Sequence, residues 1–142
     1  MKRAVLDASV AIKLYFQEEH SEAAERCVRL IPEVLAPDLI WAEMGNVVWK
    51  RQRRGDLSGA DAASVVRSFL TLPLQIHPAS GLLADALELA VKFDRSVYDG
   101  LYLALALKTR SILISADKRF VNALKDTPAG KHLEWLGDSS AT

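Results

Sequence analysis

Apolar residues fall along this chain in short runs, and the runs alternate between two periods. The first, Ala4-Val5-Leu6, stops at Asp7-Ala8-Ser9. So short a run, closed at once by a carboxylate and a hydroxyl, predicts a strand over Lys2 to Ser9 that is buried on both faces of a parallel sheet. Runs of the same kind recur at Glu33–Ala36, Leu74–His77, Ser111–Ser115 and His132–Leu136, the last read as an edge strand. Between them apolar residues return every three or four positions, which is the helical period. Val10 to Glu19 predicts a short first helix. Ala23, Ala24, Cys27, Val28 and Ile31 stripe a second, opened at His20-Ser21-Glu22 and ended by Pro32. A long helix follows from Pro37 to about Arg54, closed by Gly55, with Leu39, Ile40, Val47 and Val48 on its apolar face. Further helices are expected from Ser58, over Leu82 to Phe93, from Val97 to about Lys108, and from Asp117.

Strands alternate with helices throughout, the pattern of an α/β domain with a mainly parallel sheet and helices on both faces. The consecutive helices, Pro37–Arg54 then Ser58–Leu72 and Leu82–Arg95 then Val97–Lys108, read as helical hairpins set into that alternation. One domain over residues 1–136 is expected, with 137–142 as a frayed tail.

Composition narrows the function classes. The 142 residues carry 18 basic and 18 acidic side chains, a net charge of zero. That argues against a protein coated in positive charge, while leaving room for a local basic patch. No apolar run reaches the roughly 18 residues of a membrane span. No signal peptide is visible ahead of the first strand. Cys27 is the only cysteine. It allows neither an internal disulfide nor a cysteine-based zinc site, and suits a reducing cytoplasm.

Four acids stand out by position. Asp7 ends the first strand, and Asp117 follows the fourth in Ser115-Ala116-Asp117. Asp99 sits in the first turn of an otherwise apolar helix, and Glu43 in the early turns of the long one. Taken singly, each has an ordinary explanation. Asp7 and Asp117 suit N-caps, Asp99 completes a capping box with Ser96, and Glu43 suits a solvated face. Taken together they mean more. In a doubly wound sheet, strand ends and helix starts share one edge, where ligands bind. Carboxylates crowded there repel unless protonated or joined by a cation. Hard divalent cations favour such oxygen ligands, so the cluster points to Mg²⁺ or Mn²⁺, with Ser9 and Ser115 alongside. Metal-activated attack of water on a phosphoryl centre is the chemistry such a site supports.

Val5-Leu6-Asp7-Ala8-Ser9, the lone Glu43, Tyr98-Asp99-Gly100-Leu101-Tyr102-Leu103-Ala104-Leu105-Ala106 and Ile114-Ser115-Ala116-Asp117-Lys118-Arg119-Phe120 together resemble a PIN domain. More narrowly they resemble the VapC-type ribonuclease toxins of prokaryotic toxin–antitoxin pairs. Ser115 stands where that family often has threonine, and the hydroxyl is kept. The resemblance implies a three-layer α/β/α sandwich with a parallel sheet of four or five strands, and a metal-dependent endoribonuclease. Asp7, Glu43, Asp99 and Asp117 would hold Mg²⁺ or Mn²⁺. Ser9 and Ser115 would orient carboxylates or metal-bound water. It also implies an RNA substrate, a homodimer and a small cognate antitoxin.

Other residues were weighed beside these. Lys118 and Arg119 directly follow Asp117 and are placed to touch a substrate phosphate. Lys50-Arg51-Gln52-Arg53-Arg54 is the densest basic run, and its ordinary reading is a solvated helix end that complements the macrodipole. Trp41, Trp49, Tyr15 and Phe16 read mainly as core. His20, His77 and His132 are scattered, without metal spacing. Two rival readings exist. A phosphoryl-transfer domain of the aspartyl-phosphate type needs Asp-x-Asp after the first strand, and Asp7-Ala8-Ser9 lacks the second aspartate. A catalytically silent PIN-like module for RNA or a partner would be marked by loss of an acid, and all four are present.

Overall fold

The computed structural model describes residues 1–138. Five strands form one parallel sheet in the order β3-β2-β1-β4-β5, made of β1 (Arg3–Leu6), β2 (Glu33–Pro37), β3 (Leu74–His77), β4 (Ile112–Ser115) and β5 (Leu133–Trp135). Order reverses at β1, whose Val5 lies opposite Leu35 on one side and Leu113 on the other. The carboxyl ends of β1 and β4 therefore stand side by side at the centre of the sheet, the place where ligands bind in open parallel sheets.

Side chains alternate across the sheet because the strand period is two. Val5, Leu35, Leu113 and Leu133 face one layer, formed by α5 (Leu83–Phe93), α6 (Val97–Thr109) and α7 (Lys118–Leu124). Ala4, Leu6, Val34 and Ile114 face the other side and pack on α2 (Ser21–Leu30), while Ala36 packs under α1 (Ala8–Ala11), α3 (Leu39–Arg53) and α4 (Gly59–Phe69). This is the expected three-layer α/β/α sandwich. Helix α6 is the deepest element, with every residue from Gly100 to Ala106 buried. Helix α3 ends at Gly55, whose φ of 86° costs a glycine nothing.

The first helix is shorter than its sequence suggests. Helix α1 gives way to a 3₁₀ turn over Ile12–Leu14 and stops there. Buried Ser21 intervenes: its Oγ accepts from the Glu18 N–H at 2.9 Å and donates to the Phe16 carbonyl at 3.3 Å. A side chain that offers the backbone an alternative partner ends a helix in this way. Trp41 stacks on Phe69 as core, but Trp49 is 53% exposed, so it is not a core residue. Of residues 137–142, Gly137 and Asp138 lie in the turn Leu136–Asp138, and the others fall outside the described residues.

Gly100 sets how closely α6 approaches α5. A Cβ there would overlap the Ala86 carbonyl of α5. Gly45, inside α3, has nothing within 4 Å of the same position. Helix propensity favours alanine over glycine by about 1 kcal/mol at both sites, whereas overpacking costs about 1–3 kcal/mol. Gly100→Ala should therefore lose up to about 2 kcal/mol in urea unfolding while Gly45→Ala gains up to about 1 kcal/mol. Equal effects at the two sites would show that the α5–α6 approach is not tight.

Candidate active site

Asp7 is the innermost of the four acids. It follows β1, its backbone is extended (φ −84°, ψ 171°), and its side chain makes no capping bond to α1. It is buried, at 8% exposure. The Ser9 hydroxyl donates to its Oδ1, and the Ser115 hydroxyl also bonds its carboxylate. Both serines tie this carboxylate to the neighbouring strand. Ser9 Oγ accepts from the Ala116 N–H at 3.0 Å, and Ser115 Oγ accepts from the Asp117 N–H at 3.0 Å. Burial pushes the Asp7 carboxyl up to about 6, and nearby Glu43 adds to the rise while the two hydroxyls oppose it.

Glu43 comes from α3 and is half-buried. The Tyr102 hydroxyl, from α6, donates to its Oε1 at 2.6 Å. Desolvation raises its pKa, and Asp99 raises it further. The Tyr102 phenol is itself buried and held well above its ordinary range by that burial and by Glu43.

Asp99 enters from the start of α6. The left-handed residue Asp94 (φ 53°) ends α5, and Ser96 caps α6 by accepting from the Asp99 N–H at 3.1 Å. The Arg95 guanidinium reaches Asp99 Oδ2 through Nε at 3.1 Å and Nη2 at 3.0 Å, and rests over the Phe120 ring. Desolvation pushes the Asp99 carboxyl up, Asp117 contributes to the rise, and Arg95 counters it. Asp117 is exposed and caps α7, its Oδ1 accepting from the N–H groups of Arg119 and Phe120 at 3.1 and 3.2 Å.

The four acids thus form an electrostatic chain. Asp7 feels Glu43, Glu43 feels Asp99, and Asp99 feels Asp117. Among the described residues, no three acidic, histidine or cysteine side chains are drawn together into a ready cage for an ion. Arg95, Tyr102, Ser9 and Ser115 engage the carboxylates instead. The donor chemistry still suits a hard divalent cation, because every donor is an oxygen and three of the four acids sit where added positive charge is favourable.

Two residues here were missed by reading the sequence. Arg95 lies four positions before Asp99, the spacing of a helical ion pair. Tyr102 is the buried one of two tyrosines in α6, and a buried phenol needs a partner. Lys118 extends its Nζ over the Trp135 ring at 4.3 Å, and Arg119 is exposed beside it. Within the basic run, Arg51 is committed to Glu18 at 2.6 Å and to the Phe16 ring, and Arg54 pairs with Asp56 at 3.2 Å. Among the described residues, no helix is long and apolar enough to cross a membrane.

Comparison with known proteins places this geometry. The PIN domain family matches residues 4–125. Ribonuclease VapC3 of Pyrobaculum aerophilum is 37% identical over 119 residues, which cover 82% of this chain and 91% of that protein. Among solved structures, PAE2754 from Pyrobaculum aerophilum superposes with a TM-score of 0.72 at 20% identity, over 95% of this chain and 91% of that one. A toxin–antitoxin complex from Klebsiella pneumoniae superposes with a TM-score of 0.64 at 17% identity, over 92% of this chain and 95% of that one.

The raised Asp7 carboxyl has a consequence for stability without metal. The folded state holds the Asp7 proton more tightly than the unfolded chain, whose carboxyl has its ordinary value of 3.8. The stability this adds is complete below about pH 4 and is lost as pH rises through about 6. At pH 7–8 in chelator, Asp7→Asn should be more stable than the parent by up to about 3 kcal/mol. The gap should close as pH falls towards 4, read by urea unfolding at each pH. A gap that does not change with pH would mean that Asp7 carries no buried charge.

Proposed function

Since the chain belongs to the PIN domain family, we propose that it is a divalent-metal-dependent endoribonuclease acting as the toxin of a toxin–antitoxin pair. One observation carries this reading. Four carboxylates from four separate segments meet in electrostatic reach at the carboxyl edge of a parallel sheet, and the innermost is buried. Likeness to a protein named as a ribonuclease supports RNA as the substrate.

Asp7, Glu43, Asp99 and Asp117 would hold Mg²⁺ or Mn²⁺. Such a cation, when bound, supplies an activated water and positive charge for a phosphodiester. The chain's own groups set the stage. The Ser9 hydroxyl holds the Asp7 carboxylate, the Ser115 hydroxyl favours its charged form, and the Tyr102 hydroxyl holds Glu43. Arg95 offsets charge at Asp99. Lys118 and Arg119, at the start of α7 beside Asp117, would meet a substrate phosphate. The proposal includes a homodimer in the cytoplasm and a small antitoxin that silences it. Likeness to the Klebsiella pneumoniae complex supports the antitoxin, and a single, buried cysteine suits a reducing compartment.

Mn²⁺ titration of the antitoxin-free protein, by calorimetry, tests the site apart from the RNA. The parent should bind and Asp99→Asn should bind at least about 10-fold more weakly, since even outer-shell partners of a metal are worth about 10–100-fold. RNA cleavage should fall by more than about 100-fold in the same variant. Equal Mn²⁺ binding by the two proteins would remove Asp99 from the site. RNA binding without any Mn²⁺ binding would make the protein a silent module.

A further inference from the structure

Glu43 does not stand alone on α3. At 100° per residue, Asn46, Lys50 and Arg54 share its face, and Ala42, Trp49 and Arg53 border it on one side. All of these except Glu43 are exposed. The face runs for about 16 Å at 1.5 Å per residue, from the candidate active site to the end of the helix. Two hollows follow one another along it. A hollow of about 310 Å³ is lined by Leu39, Ala42, Glu43, Asn46 and Tyr98, and the next, of about 340 Å³, by Trp49, Lys50, Arg53 and Arg54. Each hollow presents one exposed aromatic ring, Tyr98 at 61% and Trp49 at 53%.

The cations of this stretch are not equivalent. Arg51 points away to Glu18 and Phe16, so it is structural. Arg53 instead lies over the Trp49 ring, 5.4 Å from its centroid. An exposed indole backed by a guanidinium and flanked by Lys50, with Arg54 paired to Asp56 beyond it, joins a stacking surface to phosphate-binding charge. A plain solvated helix end explains the cations but not the exposed indole among them.

We infer that this face of α3 is a binding track for single-stranded RNA, with a base stacked on Trp49 and phosphates neutralised by Lys50 and Arg53 as the strand leads to Glu43. The inference rests on the nuclease reading for the direction of the strand, and it adds what that reading lacks, a contact surface away from the reacting phosphate. Unpaired RNA fits better than duplex because a ring can stack only on a base that is free of its helix. Acidic protein segments match the cations but make no use of the indole.

Anisotropy of a labelled single-stranded RNA of about 12 nucleotides, in chelator so that no cleavage occurs, tests the track. Trp49→Ala should weaken binding about 10-fold, which is the roughly 1.4 kcal/mol expected of one stacked base. Lys50→Gln/Arg53→Gln should lower the slope of log affinity against log salt by about 1.4, since each phosphate contact contributes about 0.7. Lys2→Gln/Arg110→Asn, which removes two charges near the amino ends of β1 and β4, should leave the slope unchanged. Asparagine tolerates the left-handed backbone at position 110.

The track is overturned if the parent does not bind this RNA. It is equally overturned if Trp49→Ala binds as well as the parent, or if both double variants lose slope alike. Preference of the same face for a polyglutamate peptide over RNA would assign it to a protein partner and overturn the inference as well. None of these results touches the Mn²⁺ titration, so loss of the track and loss of the nuclease reading are separately visible.

Discussion

A buried carboxylate at the carboxyl end of the central strand is the constraint on which the rest of this molecule depends. Asp7 is held where strand order reverses, under helices on both sides of the sheet. Leaving a charge there costs free energy unless it is hydrogen-bonded or met by a cation. The chain answers with one hydroxyl from α1, just past β1, and one from the end of β4. Ser9 and Ser115 bond the carboxylate, and both also accept backbone N–H groups of the segment after β4. One small network therefore positions an acid and locks the edges of β1 and β4 together.

Helix α6 carries the second half of the arrangement within one turn. Asp99 opens it, Gly100 lets it press on α5, and Tyr102 reaches across to Glu43 on α3. Packing and chemistry are the same problem here. Were α6 held off from α5 by a side chain at position 100, the phenol and the carboxylate three residues before it would shift with it. That coupling explains why a helix so thoroughly apolar carries an acid and a phenol at one end.

Net charge conceals how unevenly charge is spread. Acidic side chains gather at the carboxyl edge of the sheet, while Lys50, Arg53 and Arg54 line the far end of α3. An anionic polymer finds a repulsive centre with a basic flank. Such a layout favours binding at the flank first and entry to the centre only with a cation to offset the acids.

The sequence by itself determined the alternation of strands and helices, the parallel sheet, and the positions at which Asp7, Asp99 and Asp117 sit, since each depends on short-range rules. Apolar periodicity spans a few residues, and the Ser96 and Asp117 caps span three. Only the tertiary structure decided which groups face each acid. Tyr102 and Glu43 are 59 residues apart, and Ser9 and Ala116 are 107 apart. Arg95 carried the spacing of an ion pair, yet only folding showed that Asp99 turns to it at the edge of the acidic cluster. Where the first helix stops was likewise settled by Ser21, a residue of the next helix, and the exposure of Trp49 by what α3 leaves uncovered. Local pattern fixes the backbone because its interactions are near in the chain. Side-chain partners depend on which surfaces burial brings together, and only the packed layers decide that.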